Sequence, residues 1–323
     1  MVIAELKLDF LQFLETKIKS KEPKNLYDPI TYILGLGGKK IRPLLTLMIA
    51  DSFGEDYVKA MDAALAVEVF HNFTLIHDDI MDDAPLRRGN ATVHEKWDVN
   101  TGILSGDAMM IMAYQCFDKY EPKTFKQLML LFSKTALEVC EGQQLDVDFE
   151  TRNDVTIEEY IKMISLKTSV LIACAMQFGA IIANADSENA RKVYEFGLNL
   201  GIAFQLQDDY LDTFGNPETF GKQVGGDIIE NKKTFLYLTA LMNAENSDKL
   251  ILKELYCSKL KENSNKIDQV MRIFESSGAS KATLEEIKNY THLAFENLKQ
   301  IDIAPEKKEF LKQFGQNLME RNV

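Results

Sequence analysis

The sequence predicts an all-α protein, a helical bundle enclosing a central apolar cavity. Three observations carry this. Apolar residues recur at intervals of three and four from end to end. Proline is sparse, at seven in 323 residues, while Ala, Leu, Ile, Lys, Glu and Met are frequent. No run alternates apolar and polar residues as a half-buried strand would. A chain that is 46% apolar and 27% charged can bury a sizeable core. At this length one large domain or two would be ordinary. No low-complexity linker divides the chain, so the reading is a single domain over 1–323 with about a dozen helices.

Residues 1–20 mix apolar and charged side chains at helical spacing. They lack a basic start followed by an apolar run, so no signal peptide is expected. Breaks fall at 35–39, 85–89, Pro122, Asn153-Asp154, 215–217 and Gly225-Gly226. Helix starts are expected at Ser105 and Asp107, at Thr156 with Glu159 three residues on, and at Asp186 and Ser187. The apolar run 169–185, interrupted by Gln177, barely reaches membrane-spanning length and reads as a helix buried on all sides. The more polar stretch 246–323 reads as peripheral helices without chemistry. No transmembrane segment is expected.

A formal net charge of −12 argues against a nucleic-acid partner, which needs a basic face. The cysteines Cys116, Cys140, Cys174 and Cys257 are scattered, with no CxxC pair. They read as buried free thiols in a reducing, cytoplasmic compartment.

Chemistry concentrates in two acidic clusters of one form, Asp78-Asp79-Ile80-Met81-Asp82 and Asp208-Asp209-Tyr210-Leu211-Asp212. On a helix the first and last aspartates share one face about a turn apart, where like charges repel. Divalent cations would bridge them, and hard carboxylate oxygens that leave room for water and phosphate suit Mg²⁺. Each cluster closes an apolar stretch, 63–76 and 197–206. Charge at the edge of such surface is costly unless it is paired or bound to metal. Cations follow. Residues 34–43 read L-G-L-G-G-K-K-I-R-P, with Lys39 and Arg42 behind glycines that permit close backbone approach. Leu86-Arg87-Arg88-Gly89 follows the first cluster, and two guanidiniums there suit bidentate contacts to phosphate. Lys222, Lys232 and Lys233 follow the second. His71 lies two turns before Asp78 on roughly the same face; His77, His94 and His292 carry less signal.

Taken together, G-G-K-K-I-R-P, H-D-D-I-M-D-D-A-P-L-R-R-G and F-Q-L-Q-D-D-Y-L-D, in this order and spacing across 34–233, resemble the trans-isoprenyl diphosphate synthases (polyprenyl synthetases) of short-chain type. The resemblance implies a bundle of the isoprenoid synthase type and a homodimer. It implies Asp78, Asp82 and Asp208 as Mg²⁺ ligands, supported by Asp79, Asp209 and Asp212, with three ions per active site. Lys39, Arg42, His71 and Arg88 resemble the isopentenyl diphosphate site. Arg87, Lys167, Lys222 and Lys232 resemble the groups that hold an allylic diphosphate. Thr168 and Gln205, with Lys167, resemble the dipoles that face the allylic cation. The implied catalytic set is Asp78, Asp82, Asp208, Arg87, Lys167 and Lys222. The implied reaction is head-to-tail condensation of isopentenyl diphosphate with an allylic prenyl diphosphate.

Positions one and two turns before Asp78 would lie roughly 6 and 12 Å down the cavity at about 1.5 Å per residue. Small Thr74, with bulky Phe73 beside it and Phe70 deeper, resembles synthases that make C20 chains. A farnesyl (C15) product stays close behind. The remaining alternatives are a class I terpene cyclase and a non-catalytic regulatory subunit. Lys39, Arg42 and Arg88 argue against the first, because they suit a second diphosphate. Retention of all six aspartates argues against the second.

Overall fold

A computed structural model describes residues 2–215, 225–257 and 264–320. Among the described residues the regular structure is helical, apart from a two-residue antiparallel pairing of Leu86–Arg87 with Asn90–Ala91. The chain divides into two compact units, Met1–Ser133 with Cys174–Arg191, and Lys134–Ala173 with Lys192–Val323.

The first unit contains α1 (Ile3–Lys17), α2 (Lys24–Gly35), α3 (Ile41–Ser52), α4 (Met61–Met81), the short α5 (Val93–Lys96) and α6 (Val99–Gln115). In α1, Leu6, Phe10 and Leu14 repeat every four residues and bury one stripe. In α3 every residue from Pro43 to Ala50 is buried. Helix α4 packs along α6, and two glycines set how closely. A Cβ at Gly102 would fall 2.8 Å from Ile80 Cδ1, and one at Gly106 would fall 2.3 Å from His77 Nε2. The segment Cys174–Arg191 belongs to this unit, where Thr46 of α3 donates to the Ala175 carbonyl at 2.8 Å. A Cβ at Gly179 would fall 2.4 Å from the Thr46 carbonyl oxygen.

The second unit takes in the later part of α7 (Pro122–Thr151), then α8 (Ile157–Ile164) and the start of α9 (Val170–Ile182). Helices α8 and α9 are joined by a five-residue π turn, Ser165–Ser169. Most of α10 (Ser187–Phe214) and the helices Phe235–Asn243, Asn246–Cys257, Ser264–Ser276, Ala279–Gln300 and Pro305–Met319 complete it. The expected capping box at Thr156 and Glu159 starts α8, with each side chain bonded to the other's backbone N–H. Tyr160, Leu206, Leu236, Leu252, Val270 and Phe274 centre the unit's core. Two glycines receive the π turn. A Cβ at Gly142 of α7 would lie 2.2 Å from the Lys167 nitrogen, and one at Gly201 of α10 would lie 2.8 Å from the Ser169 Cα.

Some sequence expectations need correction. Ser105 and Asp107 do not start a helix; they lie inside α6, whose cap is Asp98 accepting from the Thr101 amide at 2.8 Å. Capping residue types give no signal when a helix is already running. Cys140 and Cys257 are exposed rather than buried, although all four cysteines are free thiols. Both lie in helices, where an apolar sequence context does not say which face meets a neighbour. The run 169–185 falls largely in a core helix as expected: in the continuous helical stretch Ile157–Ile182, 72% of the most apolar window is buried.

Candidate active site

The first aspartate cluster sits where α4 ends, with Asp82 as the C-cap. The second occupies the last turns of α10. Neither helix carries a basic residue in its last turn. The backbone dipole places negative potential at a helix C-terminus, so carboxylates there add unfavourable charge to an already negative end. The donor chemistry fits a bound divalent cation, because hard oxygens gathered at a negative end gain most from Mg²⁺.

Within each cluster the middle aspartate turns inward. Asp79 is 1% exposed, and Arg87 holds it from the hairpin that follows. Arg87 Nε donates to both Asp79 oxygens at 2.7 and 2.9 Å, and Nη2 stands 2.6 Å from Oδ1. Nη2 also lies 3.9 Å from Asp78 Oδ2. Burial pushes the Asp79 carboxyl above the usual aspartate range while Arg87 pulls it back. Asp209 is held by neutral donors instead. Tyr160 OH donates to Oδ2 at 2.5 Å and Gln205 Nε2 to Oδ1 at 2.7 Å. Desolvation pushes Asp209 up to about 6 against those two bonds. Asp212 accepts from the Asp227 amide at 2.8 Å.

The glycine-rich loop before α3 gathers the first unit's cations. Gly37 and Gly38 have φ of 79° and 107°, which side-chain-bearing residues rarely adopt. A Cβ on Gly38 would meet the Arg88 guanidinium at 2.9 Å, and Arg88 Nη1 donates to the Gly37 carbonyl at 2.6 Å. Arg42 Nη1 lies 3.2 Å from His71 Nε2. Arginine can only donate, so this ring nitrogen accepts and the imidazole is neutral. Burial, followed by the charges of Arg42, Arg88 and Arg87, drives the His71 pKa well below its usual value. Lys39, Arg42, His71 and Arg88 are thus gathered around one loop, with Lys39 exposed.

In the second unit the π turn presents Lys167 and Thr168. Lys167 Nζ pairs with Asp146 at 2.5 Å, and Thr168 Oγ1 donates to Gln205 Oε1 at 3.0 Å. These residues line one cavity with Asp209, Asp227 and Lys232, walled on its apolar side by Phe149, Met163 and Ile164. Lys222 lies outside the described residues. The chain-length candidates sit together in the first unit. Phe70 is fully buried, Phe73 is 7% exposed, and their ring centroids are 5.3 Å apart. Thr74 Oγ1 donates to the His71 carbonyl at 2.8 Å. Tyr160, Asp146 and Asp227 escaped the sequence reading. Asp227 alone had a local signal, a carboxylate just after Gly225-Gly226.

Comparison with known proteins shows the family. The polyprenyl synthetase family model matches residues 23–274. A geranylgeranyl diphosphate synthase of Saccharolobus solfataricus is 38% identical over 287 residues, covering 87% of this chain and 85% of that protein. A geranylfarnesyl diphosphate synthase of Natronomonas pharaonis is 39% identical over 256 residues, covering 74% and 75%. A crystal structure of a geranylgeranyl pyrophosphate synthase superposes with a TM-score of 0.96 at 56% identity, over 100% of both chains. With its all-α isoprenoid synthase fold, its two D-D-x-x-D clusters and these relatives, the chain belongs to the polyprenyl synthetase family.

Proposed function

We propose that this protein is a Mg²⁺-dependent prenyltransferase. It condenses isopentenyl diphosphate head-to-tail with allylic diphosphates, and its main product is the C20 geranylgeranyl diphosphate. One observation supports the reading: basic side chains that suit a diphosphate collect in two places. One is the cation cluster of Lys39, Arg42, His71 and Arg88. The other is a carboxylate-and-amine cavity around Lys167, Asp209 and Lys232. A cyclase needs only one diphosphate site.

Asp78, Asp82, Asp208 and Asp212 would hold the magnesium, with three ions per active site. Magnesium, when bound, neutralises charge that builds on the departing diphosphate. Arg87, Lys167, Lys222 and Lys232 would bind the same oxygens, which stabilises ionisation of the allylic C–O bond. Thr168 and Gln205 turn oxygen dipoles toward the cation left behind. The apolar wall keeps water away from it. Neutral His71 orients Arg42 on the isopentenyl diphosphate without adding a proton donor. The double bond of that substrate then attacks, and the released diphosphate takes the proton. A single domain, a homodimer and a cytoplasmic location complete the proposal. Exposed Val99, Ile103, Leu104 and Ile111 on α6 offer apolar surface for a second copy.

The test incubates the purified chain with Mg²⁺, isopentenyl diphosphate and each of the C5, C10 and C15 allylic diphosphates. C20 is expected as the dominant dephosphorylated product, and chelation should abolish turnover. Turnover that persists under chelation, or without isopentenyl diphosphate, would defeat the reading. Phe73→Ala should lengthen the product, because Phe73 packs on Phe70 as a two-ring stop. An unchanged chain length by mass spectrometry would remove Phe73 from that role.

A further inference from the structure

Both substrate groups contain a lysine doublet outside any helix, Lys39-Lys40 and Lys232-Lys233. In each doublet the second lysine is buried, at 5% exposure for Lys40 and 8% for Lys233, while Lys39 is exposed and Lys232 half-buried. Lysine is almost never fully buried unless it is paired, so each buried amine needs partners, and each has them.

Lys40 Nζ donates to Glu68 Oε1 at 2.8 Å and to the Leu34 carbonyl at 3.3 Å. Glu68 is itself 3% exposed and also accepts from Asn72 at 2.9 Å. One amine therefore ties the end of α2 to the middle of α4, from a backbone held at φ 53° that caps α3. Lys39 lies one residue before this staple, Arg42 two after it, and His71 three after Glu68. Lys233 Nζ donates to the Phe149 and Glu150 carbonyls, both at 3.0 Å. These belong to the last turn of α7, where unbonded carbonyls favour a cation. Asn231, at φ 59°, accepts from buried Lys266 at 2.7 Å. The loop that carries Lys232 is thus pinned on both sides.

We infer that each doublet divides its labour: Lys40 and Lys233 are positioning residues that fix the backbone from which Lys39 and Lys232 reach two different diphosphates. The inference rests on the proposed function, because it takes Lys39 as part of the isopentenyl site and Lys232 as part of the allylic site. A stabilising role alone would be met by apolar side chains, since replacing a buried ion pair with apolar residues of similar volume is often neutral or better.

The experiment uses the full chain and measures KM for each substrate separately, with melting temperature alongside. Removing Lys40 alone would strand a buried carboxylate, so the first variant is Lys40→Met/Glu68→Met; the second is Lys233→Met. Small displacements of binding groups cost heavily, so the first should raise KM for isopentenyl diphosphate roughly tenfold and leave the allylic KM within about twofold. Lys233→Met should do the reverse. Lys233→Arg, which keeps a buried donor, should recover much of the loss. Two results overturn the inference: both KM values moving together, or neither moving while the melting temperature falls. Lys39→Met and Lys232→Met are the controls. If these too leave KM unchanged, the site assignment itself is wrong. If they raise KM while the buried-lysine variants do not, the sites stand and the anchoring role fails.

Discussion

The two aspartate clusters share a sequence pattern and a place at the C-terminal end of a long helix, yet their buried members are secured in opposite ways. Asp79 faces a guanidinium that follows it by eight residues. Asp209 faces the Tyr160 hydroxyl, 49 residues away, and the Gln205 amide one turn back. A charged partner favours the ionised carboxylate, whereas neutral donors only partly offset its desolvation. Spacing therefore marks where the carboxylates lie and leaves open what fixes their charge. In both clusters the half-buried or exposed first and last aspartates are the ones we assign to metal.

The largest expected effect tests that division. Asp78→Ala and Asp208→Ala should each lower kcat roughly 10²–10³-fold, the usual cost of deleting one group that stabilises transition-state charge. Asp209→Asn keeps one oxygen for the Gln205 amide, while the Tyr160 hydroxyl can turn to accept from the new NH2, and should cost far less. Steady-state rates at saturating Mg²⁺ decide the matter. Equal losses at Asp208 and Asp209 would erase the distinction between outer and inner carboxylates.

Stability against pH separates the clusters next. Asp209 titrates at about 6 in the fold against an ordinary value of 3.8. A group with a raised folded pKa gives its full contribution below the unfolded value and loses it as pH rises through the folded one. Metal-free protein should therefore lose stability between about pH 4 and 6, by up to about 3 kcal/mol from this residue. Asp227, pushed up by burial and by Asp209 and Asp212, acts in the same direction. Asp209→Asn should flatten the thermal-unfolding profile over this range, and Mg²⁺ should restore stability to the unmutated chain by binding its folded form. Asp79, which burial also holds above the usual range despite Arg87, acts in the same direction, but Asp79→Asn should lower stability across the whole range, because it leaves a buried guanidinium short of a partner. A flat profile in the unmutated chain would show Asp209 ionised throughout.

What the sequence made legible was local. The aspartate clusters, the glycine-lysine loop and the Thr156–Glu159 box are each defined within a few residues, where helical periodicity or turn chemistry acts directly. Tyr160 could not be read, because its tie to Asp209 depends on how α8 packs on α10. The π turn gives no compositional sign; Gly142 and Gly201 make room for it, yet a glycine within a helix is ambiguous until its neighbour is known. The doublets illustrate the same limit. Lys39 and Lys40 are identical in sequence, and only Glu68, 28 residues beyond Lys40, decides which is buried.

The smallest effect compares the two securing devices directly. Arg87→Lys keeps the charge near Asp79 but loses the planar fork that meets both its oxygens at once. A lysine can reach one oxygen and leave the other unmet, so Asp79 would sit less firmly and Arg87's proposed hold on the allylic diphosphate would weaken. A rise of roughly tenfold in the allylic KM is expected, about the worth of one charge-assisted bond. Tyr160→Phe deletes one neutral donor while Gln205 still bonds Asp209. It should change KM less than about threefold and show mainly as a loss of about 1 kcal/mol in stability. If the tyrosine variant lost more activity than the arginine variant, the second cluster would depend on Tyr160 for chemistry, and the neutral device would be the more consequential of the two.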